Sequence, residues 1–524
     1  MLEEHYIYRK IKAAKKPNSS VPGDLPKQVV KEFAVELSLP VTVIFNAITR
    51  TAEYPRQWVV EYQTPIPKLY PPLSVDDLRN ISGTTFFSKL YESCLSDWLM
   101  PIVLPYLDPA NCGGLKGTSI SHYLIRLLHF IHSAADKPQP HAVLLALVDL
   151  SKAFNRVDHS LVIEDLHDMH VPAWLLKILI SYLTERSMFM KFQGSLSSKR
   201  SLPGSSPQGV FLGCFLFMIK FNGALLRPGI PRPIPRPSPI MLSSAKSCTV
   251  KYIDDASHAC IINLKKDLDR DSAGTGHVLN PVHNTLQEDL DQLKHFTDTN
   301  LMIINEKKTN ILAFNFSKSI DFTPELRIGD SPYLDVVKDT KLLGIIISDN
   351  LKWDLHVEYM CKRAAKKIWM LRRMRLLHIE PHIILDYYLK EIRSILEFGV
   401  AVWNSGLTAK LSHQVERIQK ICVSIMLCDT NWQIPYEVGC TLLGIEPLYL
   451  RREELCVRFI QKASKNPMHA DMFYNNKNHN HNTRPDPEHD SLLYREYLCN
   501  NKRFYNSPLC YLTRLLNRNP VKVS

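Results

Sequence analysis

What this chain of 524 residues lacks narrows it first. The longest apolar stretch, residues 210–219, is interrupted by Gly213 and falls short of the roughly 20 residues a membrane span needs. The first residues include Glu3 and Glu4 followed by basic residues, with no apolar segment of the secretory kind. The twelve cysteines are scattered without a single C-x-x-C, so they read as reduced thiols of an intracellular protein and exclude a disulfide scaffold. His479, His481 and His489 stand in an Asn-rich stretch without cysteine partners, the pattern of a solvated linker and not of a zinc site. No internal repeat is visible.

What is present is an ordinary globular composition, 45% hydrophobic and 22% charged, with length for roughly two to four domain-sized units. The net charge of +12 predicts affinity for a polyanion, the alternative being a basic face that is merely solvated.

Along the chain, "KQVVKEFAVELSLP" has the period of an amphipathic helix and is expected to halt at Pro40. Residues 57–70 read as a strand followed by a proline-stiffened turn, and 86–104 as a helix. A Gly-containing loop then leads into the helix "SISHYLIRLLHFIHSA". "HAVLLALVDL" is a continuous apolar run of strand length, expected to be a central strand buried on both faces, with a helix following from about Asp158. Segment 227–238, "RPGIPRPIPRPS", must be extended and is either a stiff connector or a polyproline ligand. Beyond 350 the chain turns helical and basic, with an apolar stripe of Met360, Ile368, Leu371 and Met374. After about 466 it becomes a polar linker with a small terminal helical element.

Three carboxylates carry the chemistry. Asp254 and Asp255, in "KYIDDA", are adjacent at a tight turn, and like charges this close raise each other's pKa. A divalent cation such as Mg²⁺ resolves that conflict, while an exposed acidic turn is the plain alternative. Asp149 ends the apolar strand, where a rigid sheet presents a ligand to a cleft, or where an Asp caps the next helix. Such a trio suits two cations about 3.5–4 Å apart, the spacing of in-line phosphoryl displacement.

"VDLSKAFNRVDH", "LPGSSPQGVFLG", "KYIDDA", "INEKKTNILAF" and "TKLLGIIISDNLKW" follow in the order of reverse transcriptase blocks A to E. Upstream, "TPIPKLYPPLSVDDLRNISGTTFFSKLYE" resembles the fingers block of the same family. From roughly 20 to 430 the chain resembles the polymerase region of a non-LTR, LINE-like retrotransposon, without the family's upstream endonuclease.

The resemblance implies an α+β, right-hand polymerase with an antiparallel-sheet palm, helix-rich fingers and a helical thumb. It places an N-terminal extension at 1–60, fingers at 61–140 and palm at 141–350 with a fingers insertion at about 160–205. A helical thumb at 351–465 and a polar tail at 466–524 complete it. The implied activity is RNA-directed DNA synthesis with two Mg²⁺ ions, Mn²⁺ being a substitute, on an RNA template and DNA primer with dNTPs. A separate endonuclease partner and a nuclear location are further expectations, the basic stretch at 9–16 being a weak import signal.

Carried across by motif, Asp149, Asp254 and Asp255 are the metal-binding carboxylates. Phe154 is the aromatic gate against a ribose 2′-OH, or otherwise a core phenylalanine. Gln208 and Gly209 lie against the incoming nucleotide, Lys68 and Arg79 hold its triphosphate, and Lys308 stands near the departing pyrophosphate. Gly344 marks the turn that grips the primer; Lys362, Lys366 and Lys367 track phosphates. Several positions depart from the family pattern: Asn80, Gly114, Asn155, Val210 and Cys214. They leave a second reading open, a catalytically impaired relic that only binds nucleic acid. RNA-directed RNA synthesis is a third, and Phe154 argues against it.

Overall fold

The computed structural model describes residues 1–14, 21–68, 70–202, 204–207, 211–224, 246–270, 277–279, 285–317, 319–429, 431–472, 497 and 499–519. The Pro-rich segment 227–238, His479, His481, His489 and the pair Gln208-Gly209 lie outside the described residues.

At the N-terminus α1 (Glu4–Ala13), α2 (Lys27–Glu32) and α3 (Ala34–Thr51) bury Ile7, Ile11, Val30, Phe45 and Ile48. Contrary to the expected stop at Pro40, the helix breaks at Phe33 and α3 runs through the proline. Pro40 lies on the exposed face, while Ser38, Val41, Thr42 and Phe45 are buried on the other. Tertiary packing there outweighs the roughly 3 kcal/mol a mid-helix proline costs.

β1 (Val60–Pro67) pairs antiparallel with β2 (Leu78–Gly83), followed by α4 (Phe86–Val103), α5 (Ile120–Ala135) and β3 (His141–Val148). Next come α6 (His159–Asp168), capped by the Asp158 side chain, and α7 (Ala173–Leu183). β4 (Ser187–Phe192), with the short β5 (Ser195–Leu196) and β6 (Arg200–Ser201), returns to join β1 in parallel. β1 extends through Pro65 and Pro67, past the expected turn, because β4 reaches only as far as Gln63. Both prolines therefore fall where β1 has a single neighbour and a missing N–H is tolerated.

After α8 (Phe211–Lys220) come β7 (Ser247–Tyr252), β8 (Asp255–Asn263), the short pair β9 (Leu268–Arg270) and β10 (His277–Leu279), and α9 (Thr285–Thr299). β11 (Asn310–Asn315) and β12 (Asp335–Val337) complete a sheet of order β12-β11-β3-β8-β7. All its pairings are antiparallel except β11 with β12. Residues 142–148 are all buried, as the apolar run predicts. Val143 and Leu145 pack with α5, and Leu144 and Ala146 with α8 and α9, so β3 is a rigid floor between two cores.

The hairpin β13 (Asp339–Leu342) and β14 (Ile345–Ser348) leads into α10 (Asp354–Leu376), which buries Met360, Ile368 and Leu371 and exposes Lys362, Lys366 and Lys367. Further on, α11 (Ala409–Leu427) packs on α10, and α13 (Pro508–Arg518) docks on α5 and α12 (Leu448–Ser464). The Asp136 carboxylate accepts from the backbone N–H of Asn500 and Asn501 and fastens this terminal element. Among the described residues no helix is long and apolar enough to cross a membrane.

Candidate active site

The β7–β8 hairpin has the shortest kind of turn. Tyr252 pairs with Asp255, so Ile253 and Asp254 alone make the reversal. Ile253 stands at φ 59°, a left-handed conformation that a β-branched residue adopts only under constraint. The β3–β8 register pairs Val148 with Ala256, so the chain leaves β3 at Asp149 beside the start of β8 at Asp255. Two neighbouring central strands thus deliver three carboxylates to one end of the sheet.

Their electrostatics reflect that crowding. Burial, above all, lifts the Asp254 carboxyl above its ordinary pKa, with Asp149 adding to the lift and Arg79 opposing it. Asp255 is pushed up to about 6 by burial, then by Asp254 and Asp149, again against Arg79. Arg79 projects from β2, where it pairs with Ile66 of β1, so the β1–β2 sheet lends its cation to the central sheet's aspartates.

A second cation arrives by a route no motif displays. Asn305 N–H donates to the Asp149 carbonyl (2.8 Å), Ser151 N–H donates to the Ile303 carbonyl (2.8 Å), and Leu150 bridges Ile304. Thr309 Oγ1 accepts from the Asp149 N–H. This pairing brings Lys308 Nζ to 4.0 Å from Asp149 Oδ2.

The three carboxylates fit a hard divalent cation. Their donors are all oxygen, and their mutual repulsion in a partly buried site is the conflict such an ion relieves. Asp149, Asp254 and Asp255 are each only partly buried, so the trio is not sealed inside the core. A second group lies between β8 and α9, where His258, Cys260 and Asp289 offer ligand atoms within 4.8 Å of one another. There His258 Nε2 already meets Asp289 Oδ2 (2.6 Å) and Nδ1 meets Thr249 Oγ1 (2.7 Å). Both ring nitrogens are satisfied, so this buried group is braced without an ion.

The remaining sequence-derived positions that the structure describes have other neighbours. Phe154 is buried with its ring centroid 4.9 Å from that of Phe217. Lys68 is exposed just past β1, beside Asp77 and not among the charges acting on the aspartates. Gly344, at φ 89° after Leu343 at φ 48°, makes the left-handed two-residue turn of β13–β14; a Cβ there would come 3.0 Å from Phe398 Cε1. Lys362 pairs with Glu358, and Lys367 with Glu391 (2.9 Å), on the exposed face of α10.

Motif reading missed the support beneath the hairpin. Lys251 is buried, with Nζ 2.6 Å from Asp108 Oδ2 and 3.0 Å from the Asn222 carbonyl. Asn222 Oδ1 accepts in turn from the Asp108 N–H (2.7 Å). The sequence signal was weak, because strand alternation groups Lys251 with the half-buried Ser247 and Thr249 and not with the buried Cys248 and Val250.

Residues 66–347 match the family model described as reverse transcriptase (RNA-dependent DNA polymerase). Among curated proteins, the "Probable RNA-directed DNA polymerase from transposon BS" of Drosophila melanogaster is 25% identical over 422 residues, covering 79% of this chain and 43% of that protein. The corresponding protein from transposon X-element of the same organism is 23% identical over 413 residues, covering 77% and 41%. The chain therefore spans less than half the length of these relatives. A solved structure of apo telomerase from Candida tropicalis, truncated from its C-terminal domain, aligns at 12% identity with a TM-score of 0.36, covering 59% of this chain and 58% of that one. That score carries no fold assignment. The family match takes in Arg79, Asp149, Phe154, Asp254, Asp255 and Lys308 and covers more than half of the chain. The chain belongs to the reverse transcriptase (RNA-dependent DNA polymerase) family, as a LINE-like member with a right-hand polymerase fold of antiparallel-sheet palm, helix-rich fingers and helical thumb.

Proposed function

We propose that this chain is an RNA-directed DNA polymerase that extends a DNA primer with dNTPs on an RNA template. The observation that carries the reading is the meeting of Asp149, Asp254 and Asp255 with the cations Arg79 and Lys308 at one end of the central sheet. Opposite charges interleaved in this way suit a triphosphate and its metal counter-ions.

In the reaction the primer 3′-hydroxyl gives up its proton to solvent and its oxygen attacks the α-phosphorus of the dNTP. A new P–O bond forms, the bond to the β-phosphate bridging oxygen breaks, and pyrophosphate leaves. Asp149, Asp254 and Asp255 would hold two Mg²⁺ ions, with Mn²⁺ as a substitute. Bound there, such ions lower the pKa of the attacking hydroxyl and neutralise the leaving pyrophosphate. Arg79 grips the triphosphate through its planar fork, and Lys68 assists as a point charge. Lys308 releases Asp149 and donates its proton to the departing pyrophosphate. Phe154 occupies the space a ribose 2′-OH would need. Gln208 and Gly209 line the same nucleotide.

Gly344 and the α10 lysines Lys362, Lys366 and Lys367 hold the primer–template hybrid by its phosphates, a shape-based grip suited to an A-form helix. Within this reading, fingers, palm and thumb take the boundaries read from the sequence, namely 61–140, 141–350 with its insertion, and 351–465, flanked by the extension at 1–60 and the tail at 466–524. An endonuclease exposes the primer end, and synthesis takes place in the nucleus.

Incorporation of labelled dTTP on poly(rA)/oligo(dT) tests the reading. Wild type incorporates in Mg²⁺, and Asp254→Ala abolishes incorporation while keeping its circular dichroism and hybrid binding. Retained incorporation by Asp254→Ala sinks the metal assignment, and hybrid binding without incorporation by wild type favours the relic.

A further inference from the structure

We infer that segment 110–113 is a positioning strap for the aspartate hairpin and that Gly113 is its contact point. The kinetic consequence rests on the polymerase reading above; the structural consequence stands without it.

The central sheet ends at β7, whose outer edge has no strand partner in the sheet order. Segment 110–113 fills that edge locally. Lys251 N–H donates to the Ala110 carbonyl (2.9 Å), Cys112 N–H donates to the Lys251 carbonyl (2.8 Å), and Asn111 bridges Lys251 in parallel. Asn111 Oδ1 accepts from the Gly113 N–H (2.9 Å), which turns the strap's end toward the hairpin. Asp108, just ahead of the strap, is the buried partner of Lys251, so strap and strand are tied through side chains as well as backbone.

Two residues past the bridge, Gly113 meets the turn itself. A Cβ at 113 would lie 2.4 Å from Ile253 N, 2.8 Å from Tyr252 C and 2.8 Å from Ile253 Cγ1. Two of those three atoms are backbone, which cannot swing aside as a side-chain end can. Any side chain at 113 must therefore displace either the strap or the turn. The strap is tied on one side by two backbone bonds and a buried ion pair, whereas the turn already holds a β-branched residue at positive φ. The turn gives way, and it carries Asp254 and Asp255.

A strap that only covered a sheet edge would have a different signature. Adding a methyl group would then lower overall stability and leave the hairpin no more mobile than its surroundings.

The experiment is Gly113→Ala in the full chain, read by hydrogen exchange of peptides covering 247–263, by thermal unfolding and by dTTP incorporation across a Mg²⁺ titration. Hairpin amides should exchange about tenfold faster with β3 amides unchanged. The kcat should fall by about 10- to 100-fold, because the metal-binding carboxylates are misplaced, with KM for dTTP within about twofold and the Mg²⁺ midpoint raised. Wild-type hairpin exchange in the variant, or acceleration spread evenly over the sheet, overturns the inference. If Gly113→Ala does not fold, Asn111→Ala removes only the side-chain turn over Gly113 N–H and should shift the same readouts in the same direction by about two- to fivefold; no local shift there overturns it equally. If wild type itself does not incorporate dTTP, the polymerase reading fails and the exchange pattern alone decides the strap.

Discussion

Lys308 Nζ lies 4.0 Å from Asp149 Oδ2, and both side chains are open to solvent, 67% and 42% exposed. The pairing of the 303–305 segment with 149–151 sets this proximity, so it is a property of the fold. An ion pair this exposed is worth about 0–1 kcal/mol. Lys308 is therefore held close to Asp149 and is cheap to release, which suits the role proposed for it at the leaving pyrophosphate.

Lys308→Ala should lower the rate of nucleotide incorporation by about 10²-fold, the range of a lost general acid. The Mg²⁺ midpoint should move to lower concentration by no more than about fivefold, because a weak competing cation is gone. Single-turnover incorporation across a Mg²⁺ titration measures both. An unchanged rate removes Lys308 from pyrophosphate departure and leaves it a surface partner of Asp149.

Asp255, pushed up to about 6 from an ordinary 3.8, makes stability depend on pH in a definite sense. Its folded-state pKa is raised, so its favourable contribution is complete below about pH 4 and is lost as pH rises through about 6. In chelator, the wild-type melting temperature should fall relative to that of Asp255→Asn across this window, and Mg²⁺ added at neutral pH should recover the loss. Parallel melting curves for the two proteins would show that Asp255 is not strained in the fold.

The outline of this site was legible because its main determinants are local. An apolar run ending in Asp149 and a two-residue turn carrying Asp254 need only strand periodicity and charge to be seen. Lys308 was named by motif, but its contact with Asp149 depends on a loop pairing across more than 150 residues. Gly113 and the buried Lys251–Asp108 pair were invisible for a related reason: their meaning lies in what another segment's backbone leaves no room for. Pro40 failed in the opposite direction, as a strong local rule overruled by packing of the helix's far face.

The ring of Phe154 is buried against Phe217, as a core phenylalanine would be, and the gate is proposed from its place five residues after Asp149. Phe154→Val should admit ribonucleotides, raising rNTP over dNTP incorporation by at least about tenfold, the scale on which steric exclusion discriminates. It should also cost about 1–3 kcal/mol of stability, less than a full Phe-to-Ala truncation. Phe217→Leu disturbs the same packing, and it should reduce stability without admitting ribonucleotides. Equal rNTP use in wild type and Phe154→Val would reduce Phe154 to a core residue.

The exposed face of α10 offers a test that does not need turnover. Lys362 sits with Glu358 and Lys367 with Glu391, so part of the charge that would meet phosphates is already compensated within the protein. A lysine that contacts one phosphate steepens the dependence of log K on log salt by about 1. Replacing Lys362, Lys366 and Lys367 together by Ala should therefore flatten that slope by about 2, less than the full 3, because Glu358 and Glu391 are freed at the same time. Glu358→Gln should act in the opposite direction and tighten binding of an RNA–DNA hybrid at low salt. Fluorescence anisotropy of a labelled hybrid over a salt series measures all three slopes, and an unaltered slope in the triple variant would move the phosphate-tracking surface off α10.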